Sequence, residues 1–233
     1  MVDTARAAIS EVIAADHAPF VLGGECTLAI ALVAAAVERY GEVGLLYVDG
    51  GQDLMIPVDH PDEPILDAMG VAHLLDLPGC VPELAGVGTR RPLLQPADVA
   101  FVGFGDQEED VHGWVPAPRL RGNEVIADPV AAGRRALNAL PHRHLVVHFD
   151  VDVLDALGLP LADIATYGTG MRLDHVTPLL KTLVSDPRVV GVTVVEANPD
   201  HDPDGRSISR LVNALAHSLT PEHPGSVRHR GRV

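Results

Sequence analysis

HLVVHFDVDVLD, residues 144–155, is the stretch on which the fold turns. His144–Phe149 is apolar at most positions and runs straight into acids at Asp150, Asp152 and Asp155. A short run without an alternating polar face reads as a strand buried on both sides of a parallel sheet. Two other runs share the design. Val43–Val48 leads into Asp49-Gly50-Gly51-Gln52-Asp53, and Val189–Val195 leads into Glu196-Ala197-Asn198-Pro199. Ligands of open parallel sheets bind outside the carboxyl ends of the strands, so acids at three such ends face one crevice. On an extended backbone side chains alternate, which points Asp150 and Asp152 the same way, with His148 on their side. A lone Asp-x-Asp is more often a solvated turn. Three acid-bearing ends together call for a cation, because crowded carboxylates otherwise repel and take up protons.

Around these strands lie helical patterns. Asp3 or Thr4 caps a helix with Ala5, Ala8, Ile9, Val12 and Ile13 on one stripe. Phe20–Leu22 reads as a short buried strand entering Gly23-Gly24. Leu28, Ala31, Leu32 and Ala35 mark a helix that stops at Gly41. Residues 54–68 read as loop, Met69–Leu75 as a short helix and Asp98–Phe104 as a strand. Asp128-Pro129 opens a helix that runs to about Leu140. Leu173–Val184 and Ser207–Leu219 complete the helices. Strands alternating with helices predict an α/β fold with a mainly parallel sheet. Residues 1–220 form one domain, and residues 221–233 form a flexible polar tail.

Composition narrows the function. The 233 residues carry 32 acids against 17 Lys and Arg, a net charge of -15. That argues against nucleic-acid and membrane partners, which want basic patches. The longest apolar run, Leu28–Val37, is too short to span a bilayer. Two cysteines make no disulfide framework and nothing resembles a signal peptide, so a reducing cytoplasm is expected.

Four segments, in order, resemble the ureohydrolases, the family of arginase and agmatinase. Gly23-Gly24-Glu25-Cys26-Thr27-Leu28-Ala29 is similar to the family's G-G-D-H-S-x-A segment. Asp49-Gly50-Gly51-Gln52-Asp53 is similar to D-A-H-x-D. His148–Asp155 is similar to the S/H-x-D-x-D-x-L-D strand end, and Glu196-Ala197-Asn198-Pro199 to E-x-N-P. The resemblance implies a three-layer α/β/α fold and a binuclear manganese centre that hydrolyses guanidino or amidine groups with hydroxide generated at the metals. It implies that Asp49 and Asp150 bridge the metals, that Cys26 and Asp53 bind the first and Asp152 the second. It assigns Glu196 to the cationic head of a small guanidino or amidine substrate. Asp155 packs in the turn.

The departures shape the expectation. Cys26 stands where the family has a histidine ligand. A thiolate still ligates and suits zinc or iron as well as manganese, and a small buried cysteine is the other reading. Gly51 replaces the histidine on the second metal. His148 is a candidate to stand in, with packing behind the ligands as its more usual role. Asp67, in Asp67-Ala68-Met69-Gly70, stands at the proton-shuttling histidine of H-G-M-P and carries protons only with a raised pKa. His60 and His73 lie nearby in sequence and read as surface or packing residues. Met55 replaces an asparagine that holds the substrate's amino-acid end, which weakens arginine as substrate. The Asp106–Pro118 segment, with acids, His112 and Trp114, reads as surface, with lining the crevice as the other reading.

Two classes of function follow. One is a metal-dependent amidinohydrolase; the other is a non-catalytic relative with a degraded metal site that binds or assembles. A single-zinc deacetylase ranks last, because Gly51 removes the histidine it needs. Only 22 residues precede Gly23, so the usual opening strand–helix unit of the family is not expected here. That leaves Phe20–Leu22 at a sheet edge, and an unpaired apolar edge predicts a homo-oligomer. Solution sizing that gives a stable monomer contradicts that expectation.

Overall fold

The computed structural model describes residues 1–59, 65–105 and 107–220. Six parallel strands form one sheet: β1 (Phe20–Leu22), β2 (Gly44–Val48), β3 (Val99–Val102), β4 (Arg119–Leu120), β5 (Leu145–Asp150) and β6 (Val189–Val195). Their order across the sheet is β1-β6-β5-β2-β3-β4. The helices are α1 (Val2–Ala14), α2 (Leu28–Tyr40), α3 (Gly70–Leu74), α4 (Pro82–Ala85), α5 (Gly122–Ala127), α6 (Pro129–Ala139), α7 (Leu173–Val184) and α8 (Arg206–Leu219).

Strand alternation sorts the core into two layers. Leu45, Tyr47, Phe101 and Val146 pack with α1 and α2 on one face. Leu46, Val48, Val102, Val147 and Phe149 pack with α6, α7 and α8 on the other. With both faces covered, β2, β3 and β5 are buried at every position, which explains their unbroken apolar character. The three-layer α/β/α fold read from the sequence is the one observed.

Several local expectations need correction. Helix α1 begins at Val2 with Met1 at its cap, and no side chain caps it, so neither Asp3 nor Thr4 does so. β1 is an edge strand with Phe20 49% and Leu22 67% exposed; among the described residues it pairs only with β6, and the buried reading fails there. β4 and α5 were not expected. Both are short, and β4 shows only two residues of strand pattern. His201 and Asp202 lie in the turn after β6, and Asp202 accepts from the Ser207 and Ile208 amides at the head of α8, at 3.1 and 2.8 Å. His60, Asp106 and the tail at 221–233 fall outside the described residues. Among the described residues no helix is long and apolar enough to cross a membrane.

Leu46 sits fully buried at the centre of β2. Leu46→Ala should lower the unfolding free energy by about 2–5 kcal/mol. The exposed Arg134→Ala control should change it by less than about 0.5 kcal/mol in the same denaturant titration.

Candidate metal centre

The site grows from the carboxyl ends of β2, β5 and β6 and from the turn before α2. Tyr47 pairs in register with His148, and their rings stack at 4.4 Å. Two residues further along β5, Asp150 lies on the same side as His148 and ends the strand. Cys26 enters from the Gly23–Thr27 turn. Its Sγ lies 2.8 Å from Asp150 Oδ2, 3.2 Å from His148 Nε2 and 3.6 Å from Asp49 Oδ2. One donor atom from each of Cys26, Asp49, His148 and Asp150 falls within 4.8 Å of the others, and all four residues are buried.

Asp53 and Asp152 flank this group. Tyr47 donates its hydroxyl hydrogen to Asp53 Oδ2. Asp152 Oδ1 accepts from the Gly50 amide at 2.8 Å. A side chain at Gly50 would meet Asp152 at 3.0 Å, so glycine lets the two loops approach. The extended-strand argument for Asp152 does not hold. Val151–Val153 forms a single 3-10 turn, tied by the Asp152 amide donating to Asp150 Oδ1 at 2.6 Å, and this turn carries the second carboxylate inward.

Burial and mutual repulsion push the carboxyls of Asp49, Asp53 and Asp150 well above the usual range; burial is the largest cause for each. Asp152 rises to about 6 by burial. Burial, reinforced by Asp53, Asp150 and Asp49, raises the Cys26 thiol. His148 is held neutral by burial, down to about 3. A proton on Nδ1, which faces Thr193 Oγ1 at 2.8 Å, leaves the Nε2 lone pair directed at Cys26. Such a set is costly without a cation and suited to one. Sulfur, imidazole and carboxylate together match a divalent transition metal, so the residues present fit that group.

At the mouth, Asp67 Oδ1 accepts from the Cys26 amide at 2.7 Å. Burial raises Glu196 to about 8, and Asp67 adds repulsion and a side-chain hydrogen bond. Both Asp53 and Glu196 hold φ in the left-handed region, at 52° and 64°. That conformation costs a non-glycine residue about 1–2 kcal/mol, and such strain gathers at functional sites.

The structure therefore brings Cys26, Asp49 and Asp150 into one donor group, with Asp53 and Asp152 beside it and Asp67 and Glu196 at the mouth. His148 belongs to the donor group itself. Its strand parity was the signal. Glu109 was missed altogether. The segment read as surface turns this residue inward, with Oε2 3.2 Å from the Leu54 amide and Oε1 over Gly51. His112 and Trp114 do remain exposed. His73 is a packing residue, bonded to Met69 O and the Val81 amide. Asp155 packs in its turn, accepting from Leu157 and Gly168 amides.

A parallel α/β/α sheet thus carries buried acids and a cysteine–histidine pair at its carboxyl edge, a candidate metal site. The arginase family model matches residues 1–220, and the chain belongs to the arginase family. Arginase from Saccharomyces cerevisiae is 26% identical over 208 residues, covering 82% of this chain and 60% of its own length. Arginase-1 from Homo sapiens is 25% identical over 207 residues, covering 83% of this chain and 62% of its own. The chain thus spans about three-fifths of the length of these relatives. The structure of Bacillus caldovelox arginase superposes with a TM-score of 0.83 at 22% identity, covering 96% of this chain and 75% of that one.

Raised carboxyl pKa values stabilise the fold at low pH, and that contribution is lost as pH climbs through the folded-state values. Chelator-treated protein should therefore lose melting temperature from about pH 4, where unfolded carboxyls titrate, up to about pH 8, the value held by Glu196, with the Asp152 share lost by about pH 6. The rise in melting temperature on adding a divalent metal should grow across the same window, because the metal displaces those protons. A metal-induced rise that is independent of pH contradicts this.

Proposed function

We propose that this chain is a metal-dependent hydrolase of linear amidine or guanidino C–N bonds. The observation that carries the reading is the acid mouth, Glu196 with Asp67, set beside a buried sulfur, imidazole and carboxylate donor group. Cys26, His148, Asp49 and Asp150 would hold one metal; Asp49, Asp150 and Asp152 would contribute to a second. Manganese is the metal the family resemblance implies, and the thiolate and imidazole make zinc or iron equally acceptable donors' partners. Metal bound there supplies a Lewis acid and lowers the pKa of water.

The chain's own groups supply the rest. Burial, with Asp67 beside it, holds the Glu196 carboxyl up at about 8. A cationic amidinium beside Glu196 favours loss of its proton and is gripped by the resulting charge. Glu196 orients the head group toward the donor set. Asp67, hydrogen-bonded to the Cys26 amide, is placed to carry a proton to the leaving amine. Met55 offers no polar group to an α-amino acid end, which favours substrates other than free arginine.

A homo-oligomer belongs to the same reading. The exposed edge of β1 adjoins an apolar groove of about 670 Å³ between it and α8, lined by Phe20, Leu22, Leu211 and Leu215. A buried edge in a second copy would relieve it. The cytoplasm remains the compartment we assign to it.

The test is metal analysis of protein purified without chelator, with urea or ammonia release measured across guanidino compounds in added manganese. Bound metal and turnover support the reading; neither, with a fully stable Asp150→Ala variant, overturns it. Glu196→Gln should raise KM by about 10- to 100-fold, from the roughly 1.5–3 kcal/mol of a charge-assisted hydrogen bond. It should leave metal content unchanged.

A further inference from the structure

Gly51 leaves a space that another residue fills. A Cβ built on Gly51 would lie 2.7 Å from Glu109 Oε1, 3.5 Å from Asp49 Oδ1 and 3.6 Å from Asp53 Oδ1. Three carboxylates from two separate loops thus converge where a side chain at 51 would stand. Any residue larger than glycine there would displace the Glu109 carboxylate.

Glu109 is aimed there by its neighbours. Glu108 and Asp110 turn to Arg119, at 3.7 and 3.4 Å, and Glu109 between them turns the opposite way. Its carboxylate takes the amides of Leu54, Gln52 and Asp53, which fix it over the loop that follows β2. Asp49 faces both Gly51 and the Cys26–His148–Asp150 group, so the two donor sets adjoin through one residue. A further anion brought into a buried anionic cluster is unfavourable unless a cation joins them.

We propose that Glu109 is a metal ligand of this centre, replacing the side chain that Gly51 lacks with a carboxylate delivered from a different loop. This rests on the metal-centre reading above. It makes Gly51 and Glu109 a compensating pair: glycine opens the space, and glutamate supplies an oxygen donor that suits manganese at least as well as nitrogen does.

The test uses the full chain, stripped with chelator and titrated with Mn²⁺ by calorimetry, with bound metal counted by electron paramagnetic resonance. Wild-type protein should take up two equivalents with an exchange-coupled spectrum. Glu109→Gln should keep one and weaken the other by more than about tenfold, the scale that even partners outside the ligand set reach. Its amide oxygen still accepts from the 52–54 backbone, so a purely loop-anchoring role predicts unchanged uptake. The Gly51→His/Glu109→Ala double variant should recover the second equivalent. Should Glu109→Gln not fold, that double variant decides: two equivalents support the exchange, and one overturns it. Unchanged number and affinity in a folded Glu109→Gln overturn this inference alone. A wild type that takes up no metal overturns both it and the hydrolase reading.

Discussion

Everything at this site follows from burying carboxylates of like charge together. Asp49, Asp53 and Asp150 are buried and Asp152 is half-buried at the carboxyl ends of β2 and β5. Two unit charges about 4 Å apart repel by about 4 kcal/mol at an effective dielectric near 20. Four that repel one another at one buried sheet edge are costly to ionise together without a counter-charge. Their carboxyl pKa values are pushed up accordingly, and a divalent cation is the counter-charge that our proposal places there. The strands impose the crowding. Parallel register sets Val48 beside Phe149, so the acids that follow are neighbours whatever their charge.

The substitutions at the centre become coherent in that light. Cys26 takes a position where a histidine is usual in the family, and its sulfur lies 3.2 Å from the His148 imidazole on β5. Gly51 gives up a side chain, and the Glu109 carboxylate from the loop after β3 stands over it. The mouth retains Glu196 in a strained conformation, and Asp67 tethers to the Cys26 backbone. Selection of a cation therefore stays coupled to the position of the donor group.

Much of this was legible in the chain. Unbroken apolar runs ending in acids gave the parallel sheet and the edge at which the site lies. The alternation of side chains along β5 correctly put His148 with Asp150. What was not legible depended on contacts between distant segments. Glu109 sits in an acidic, loop-like stretch whose composition is that of solvent-exposed surface, and only the three-dimensional path of the chain shows that it turns inward. The strand-alternation argument for Asp152 does not hold, since a 3-10 turn and not a strand delivers it. Met1 at the head of α1 and the exposed faces of β1 escaped the pattern because caps and edges are set by what does or does not pack nearby.

The central claim is that the buried acids at the ends of β2 and β5 hold divalent metal. Anomalous diffraction from crystals grown with manganese, recorded on both sides of its absorption edge, tests it most directly. The account predicts a strong anomalous peak in contact with Asp49 and Asp150 and within reach of Cys26 and His148. An ordered site with all these side chains in place and no anomalous peak among them would contradict it.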